Sequence, residues 1–325
     1  MILLSTTRGP EYDFDWIFSG WRKSMARLGI PIGHSLDFLH DVTPRPCHSH
    51  NDYWRKVPVY SALQAGCTGI EADVWLFKND PELYVGHDRE ALTPHRTFRS
   101  LYVNPLVEIL EKRNAETLFG HNNYSQNVVG VFETDPSQTL VLLVDIKTDG
   151  NKALDYVQDQ LAPLRAGDWL TYMEDGVVHE RPVTVVGSGR TPFDLLMQNS
   201  TYRDIFFDAP LNKFYEDPDL PDVRDDGDDV YVYNTTNSFY ASVNFRREIG
   251  FVWSRLSEEQ LRRIRGQIKG AHKRGLKVRY WNTPPWPISL RNSIWNSLED
   301  AGADVLNVDD LEAGAKQLER HNKMH

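Results

Sequence analysis

The chain has 325 residues, enough for two ordinary domains or one large α/β barrel, and its 40% apolar and 11% aromatic content can bury a sizeable core. A formal net charge of −10, from 36 basic and 46 acidic side chains, argues against a nucleic-acid binder, because phosphate backbones are held through clustered Lys and Arg. Only Cys47 and Cys67 are present, which excludes a disulfide framework and fits no zinc spacing but leaves one bridge open.

The opening, Met1-Ile-Leu-Leu-Ser-Thr-Thr-Arg-Gly-Pro10, lacks the basic start and the roughly 7–15-residue apolar stretch of a secretory signal. Residues 1–43 read as an extension ahead of a single domain over 44–325. No run reaches the roughly 20 apolar residues of a membrane span. Asn123-Tyr-Ser125, Asn199-Ser-Thr201 and Asn234-Thr-Thr236 have the form of glycosylation acceptors, so secreted and cytoplasmic locations both stay open.

Strand-like runs follow at 45–48, 69–76, 83–87, 139–146, 183–187, 204–208, 239–243, 277–282 and 304–308. Helical patterns lie at 59–65, 101–113, 152–164, 257–274, 289–300 and 311–320. The best marked is 257–274, where Ser257 and Gln260 form a capping box, Leu261, Ile264, Ile268 and Ala271 share a face, and Gly275 follows as a stop. Strand and helix in alternation predict a parallel sheet, and Val/Ile/Leu-rich runs are the mark of strands buried on both faces. The runs exceed an eightfold barrel by one, so 76–83, with Lys78-Asn79-Asp80-Pro81, reads as a hairpin-like turn within a distorted (β/α)8 barrel. A polar, Asn-rich segment at 114–136 and an Asp-rich one at 215–229 break the rhythm. The second lacks the spacing and closing Glu of a calcium loop and reads as a solvated acidic loop.

Chemistry-bearing residues gather at or just past strand ends, where a parallel barrel collects its working side chains. Glu71 and Asp73, two apart, leave the same face of their strand. Carboxylates on a core-facing strand are costly unless paired or metal-bound, and an internal salt bridge explains this pair as well as a metal does. Asp145, with Lys147 two residues on, repeats the pattern, and a plain Asp–Lys bridge serves there too. Three converging carboxylates would repel strongly without a cation, and thiol-free oxygen ligation selects Mg²⁺ or Ca²⁺, with the Asn51 amide oxygen as a fourth ligand. His50 and His87 suit a base and acid pair near neutral pH, one taking the proton of an attacking hydroxyl and the other protonating the leaving oxygen. His48 faces the same side as His50 and either orients it or takes its role. Asp52 and Asp88 are expected as hydrogen-bond partners of the histidines. Arg279-Tyr-Trp281-Asn282 ends a late strand and Asn307 and Asp309 end the last; these either close the mouth of the site or contact a substrate's apolar part, and Trp281 reads equally as a core cap. Gly187-Ser-Gly189 lacks the Gly-x-Ser-x-Gly pattern of a nucleophile elbow and reads as a turn.

These residues resemble the phosphatidylinositol phospholipase C and glycerophosphodiester phosphodiesterase superfamily, patterned as His, Glu-x-Asp, a second His and an acidic ligand. His50-Asn51 resembles the His-Asn pair of metal-dependent phospholipases C. Asp145-Ile-Lys147 resembles the Asp-x-Lys of sphingomyelinase D-type phospholipases, which implies a metal ligand and a phosphate-holding lysine. The run from His48 through Arg55, then Glu71-Ala-Asp-Val-Trp-Leu76 and Val85-Gly-His87, is similar to the altered inheritance of mitochondria protein 6 family. Glycerophosphodiesterases place Arg directly after the first His; here Ser49 or Asn51 stands there, so that phosphate contact does not carry over.

The resulting expectation is a metal-dependent phosphodiesterase acting on a phospholipid or glycerophosphodiester, by hydrolysis or through a cyclic phosphate. Headgroup and oligomeric state stay open. One rival is a barrel that binds a headgroup or a protein without turnover. Another is a zinc hydrolase of amidohydrolase type, whose opening motif His48-x-His50 matches but whose later strand-end histidines are missing.

Overall fold

Backbone pairing follows the apolar runs. The computed structural model describes residues 37–115, 128–221 and 232–324. Among them, eight parallel strands close into a barrel. They are β1 (Arg45–Ser49), β2 (Cys67–Leu76), β3 (Leu140–Ile146), β4 (Val183–Gly189), β5 (Ile205–Pro210), β6 (Ser238–Asn244), β7 (Lys277–Trp281) and β8 (Val305–Val308). Closure comes from β8 returning to β1, with Asn307 opposite His48. The main outer helices are α1 (Pro58–Gln64), α2 (Asn104–Arg113), α3 (Gly150–Gln160), α4 (Glu258–Lys273), α5 (Ile288–Asp300) and α6 (Leu311–Met324).

The distortion has a location. Single turns, Phe193–Leu196 and Leu211–Lys213, replace full helices after β4 and β5. The ninth run, Leu83–Val85, pairs antiparallel with β2, Val85 opposite Val74, so the hairpin lies outside the cylinder as the sequence implies. A small antiparallel sheet of Tyr172–Glu174, Val177–His179 and Tyr202–Arg203 is not foreseen, because strands of two or three residues leave no periodicity to read. The helix expected at 152–164 breaks after Gln160, and a separate turn, Ala162–Ala166, starts beside Pro163, which has no N–H to continue the first.

α4 carries its capping box, with the Ser257 hydroxyl accepting from the Gln260 N–H and the Gln260 side chain accepting from the Ser257 N–H. Gly275, at φ 71°, ends it. Cys47 and Cys67 are bridged, tying β1 to β2 across 20 residues that include α1. Closing a loop of that size stabilises a fold by about 3 kcal/mol on the chain-entropy account. Leu39 and Val42, within the segment read as an extension, are buried in the main core. The earlier residues, Asn123, and the centre of the acidic segment at 222–231 lie outside the described residues.

Strand parity sets up the interior. On β3, Leu140, Leu142, Val144 and Ile146 face the outer layer, while Val141 and Leu143 join Val186, Tyr240 and Val305 on the axis. These form an apolar floor. Above it, towards the strands' C-terminal ends, the inward positions turn polar.

Candidate active site

Glu71 and Asp73 both point inward from β2, and β3 pairs in register so that Asp145 lies opposite Asp73. One oxygen from each of the three carboxylates lies within 4.8 Å of the others. The Lys147 ammonium bridges two of them, 2.9 Å from Asp73 Oδ2 and 2.8 Å from Asp145 Oδ2. Asp73 Oδ1 is buried and has no hydrogen-bond partner. Gly189 makes room for the third carboxylate: it sits at φ +65°, and a Cβ there would stand 1.9 Å from Asp145 Oδ1.

Electrostatics separates the carboxylates. Burial, with Glu71 and Asp145 nearby and Lys147 opposing, pushes Asp73 up to about 7. Burial acts the same way on Glu71, yet the hydrogen bond from His48 and the charges of His50 and Arg279 overcome it and hold Glu71 well below the usual carboxylate range. Arg279 is the buried cation beneath the site. It lies 3.6 Å from Glu71 and 3.4 Å from Asp208, and it donates to Asn307 Oδ1 at 2.9 Å and Ser242 Oγ at 3.1 Å.

The three histidines occupy different depths. His48 is fully buried, its Nε2 3.3 Å from Glu71 Oε2, and burial together with Arg279 drives its pKa down to about 4. It is a neutral ring that donates to Glu71, with Nδ1 left without a partner. Its space depends on Gly69, where a Cβ would meet His48 Nδ1 at 2.4 Å. Gly69→Ala is therefore expected to cost about 1–3 kcal/mol of stability by overpacking, read as a lower urea midpoint at unchanged slope. An unchanged midpoint would mean that the ring moves freely.

His50 lies one residue past β1, with Nδ1 2.8 Å from Asp309 Oδ1. Burial alone would lower its pKa, but the Asp309 hydrogen bond and the charge of Glu71 raise it above its ordinary value. His87, beyond the hairpin strand, is exposed, with Nδ1 3.1 Å from the Tyr53 hydroxyl and 3.8 Å from Asp73 Oδ2. The same hydroxyl donates to Asp73 Oδ2 at 2.7 Å and contacts Asn51 Oδ1, bringing that amide oxygen to the edge of the carboxylates. Among the described residues the metal-competent group is all-carboxylate, and no histidine joins it, which counts against the zinc amidohydrolase reading.

Sequence comparison matches residues 36–208 to the AIM6-like phosphodiesterase domain. The chain belongs to this family. The Altered inheritance of mitochondria protein 6 homolog of Arthroderma benhamiae is 40% identical over 323 residues, covering 96% of this chain and 90% of that protein. Altered inheritance of mitochondria protein 6 of Eremothecium gossypii is 33% identical over 282 residues, 83% and 68% of the two chains. The Saccharomyces cerevisiae protein of the same name is 32% identical over 307 residues, 89% and 75%. The matched span holds His50, Glu71, Asp73, His87, Asp145 and Lys147, while Asp309 and Arg279 lie beyond it.

Two expected partnerships are corrected in this member of the AIM6-like family. Asp52 does not bond a histidine, because Asn51, at φ 47°, reverses the chain and turns Asp52 into the core. There burial raises Asp52 to about 8, opposed by the Tyr102 hydroxyl, which donates to Asp52 Oδ1 at 2.5 Å and also lies 2.6 Å from the Glu71 carbonyl oxygen. Asp88 instead caps the turn Arg89–Ala91, accepting from the Ala91 N–H at 3.0 Å. Trp281 is half-buried at the end of β7, two residues above Arg279 and in register with Asn244. Gly187 to Gly189, read as a turn, are instead the last residues of β4, and Ser188 there donates to Asp208 at 3.1 Å. Tyr53 is a participant that sequence reasoning left without a role, and Arg279, expected at the mouth of the site or against substrate, lies instead beneath the carboxylates. Arg279 carried a usable signal, a lone charge inside a buried strand.

Proposed function

We propose that the chain cleaves a phosphodiester of the phospholipid or glycerophosphodiester class at the mouth of the barrel. The observation that carries this reading is the convergence of three carboxylates, one oxygen of each within 4.8 Å of the others, with Asp73 Oδ1 buried and partnerless, in a family whose domain is described as AIM6-like phosphodiesterase. That donor set fits a hard divalent cation, Mg²⁺ or Ca²⁺, held by Glu71, Asp73, Asp145 and Asn51. Such a cation, when bound, stabilises charge developing on phosphoryl oxygens.

The chain's own groups do the rest. Asp309 orients His50 through Nδ1, leaving Nε2 to accept the proton of the attacking hydroxyl, and a raised pKa makes it the stronger acceptor. His87, positioned by Tyr53, delivers a proton to the leaving oxygen. Lys147 holds phosphate from between Asp73 and Asp145, and His48 fixes the Glu71 carboxylate. The nucleophile is water or a neighbouring substrate hydroxyl. The two ion pairs of Lys147 favour the rival, a barrel that binds a headgroup or a protein without turnover. A phosphorus NMR survey of lysophospholipids, sphingomyelin and glycerophosphodiesters separates the two. Chelator-sensitive loss of the diester signal supports cleavage, with a cyclic product revealing an internal nucleophile; inertness toward every diester supports binding alone.

Acidity supplies a check on the ligand set. Folded-state pKa values near 7 for Asp73 and near 8 for Asp52 stand above the ordinary 3.8, so these groups' contribution to stability is full below about pH 4 and is lost as pH rises through 7 and 8. The loss is on the order of a few kcal/mol without cation. A cation needs Asp73 ionised, so Mg²⁺ or Ca²⁺ should raise Tm more at about pH 8 than at about pH 5.5. An equal or larger gain in acid would remove Asp73 from the ligands.

A further inference from the structure

The rim of the barrel carries apolar side chains that nothing among the described residues covers. Among the described residues nine large hydrophobics are exposed, and five of them, Trp54, Phe251, Trp253, Trp286 and Ile288, stand on the segments leaving β1, β6 and β7. Those segments sit at the strands' C-terminal ends, the end that holds the carboxylates. The side chains are 59% to 84% exposed. β6 and β7 are neighbours, and β8 separates β7 from β1, so the five lie on one side of the mouth, an arc interrupted by the β8 exit, whose exposed Asp309 is paired with His50. Phe251 and Trp253 pair at 5.9 Å, and Trp54 packs edge-on against His87 at 5.5 Å, which makes the arc continuous with the candidate site.

Clustered apolar exposure of this kind marks a surface that meets another phase or partner. Charge decides which. In a chain of net charge −10, these same segments present exposed Lys56, Arg246, Arg247 and Arg255. Glu248, the acidic residue among 245–257, is occupied by Arg263 and Gln267. Indoles beside cations are the composition that settles at the headgroup level of anionic membranes.

We propose that this arc seats the mouth of the barrel on an anionic lipid bilayer, with the rings of Trp253, Phe251 and Trp286 in the headgroup layer. The seating stands by itself; that a bilayer-resident phosphodiester then reaches the carboxylates rests on the function proposed above.

The test is co-sedimentation of the full chain with vesicles of phosphatidylcholine alone or mixed with phosphatidylserine, in chelator so that neither cation nor turnover contributes. Wild type should bind the mixed vesicles, more weakly as salt rises. The triple substitution Phe251→Ser, Trp253→Ser, Trp286→Ser should weaken binding by about tenfold or more at an unchanged melting temperature. Arg246→Glu with Arg247→Glu should weaken binding to the mixed vesicles as well. Glu71→Gln should bind like wild type. Failure of wild type to bind the mixed vesicles, or full binding by the triple variant, overturns the proposal. So does a dimer seen by sedimentation velocity that the triple substitution dissolves, which would assign the arc to a second copy. Wild type that binds vesicles yet cleaves no diester would sink the functional reading and leave the seating intact.

Discussion

Replacement of His50 by alanine is expected to lower phosphodiester turnover by about 10²–10⁴-fold, the range for loss of a general base, while uptake of divalent cation is retained. The separation is expected because His50 is tied to Asp309 on the opposite side of the ring closure, whereas the cation-competent oxygens belong to Glu71, Asp73 and Asp145. His87→Ala should show a loss of similar size, with one difference. If His87 supplies the leaving-group proton, a diester whose leaving group is a nitrophenolate needs no acid, and activity should return for His87→Ala but not for His50→Ala. Wild-type turnover in His50→Ala, or recovery of both variants on the activated diester, would dismantle the division of labour. Asp309→Asn, which keeps the shape but removes the charge that raises His50, should move the acidic limb of the pH profile downward.

Arg279→Met is expected to destabilise the fold by about 3–5 kcal/mol, the cost of removing one partner from a buried charge cluster. Arg279 is 3% exposed and stands between Glu71 and Asp208, which are themselves buried, so its loss leaves two carboxylates facing each other across a low-dielectric interior. Asn307 and Ser242 lose a donor at the same time. Chemical denaturation would read the effect. A second substitution, Asp208→Leu, should recover part of it by removing one stranded charge, giving a non-additive cycle. A loss below about 1 kcal/mol would mean that water or protonation compensates at little cost.

The carboxylates were legible because charge inside an apolar strand has few explanations, and period two told which of them share a face. Depth was not legible. His48 and His50 point the same way in the sequence, and only the register of β1 against Gly69 and Asn307 shows that the first is sealed and the second stands at the rim. Asp52 and Asp88 look alike beside their histidines, but the left-handed turn at Asn51 and a local cap redirect them, and neither leaves a trace in spacing. Tyr53 went unassigned because a phenol in a loop is unremarkable until it lies between Asp73 and His87. The His50–Asp309 pair spans 259 positions, and such contacts exist only once β8 meets β1. The barrel itself was readable from the alternation of runs, while its two missing helices were not, since a single turn and a loop look alike at that length.

The apolar floor of Val141, Leu143, Val186, Tyr240 and Val305 makes the cylinder a blind well. Whatever descends to the carboxylates must leave by the way it came. On the cleavage proposed above, reactant and spent product would share one doorway, and a bulky product detained there should compete directly with the next arrival. The shape of the loops around that doorway, rather than a tunnel through the protein, then sets how fast the well empties.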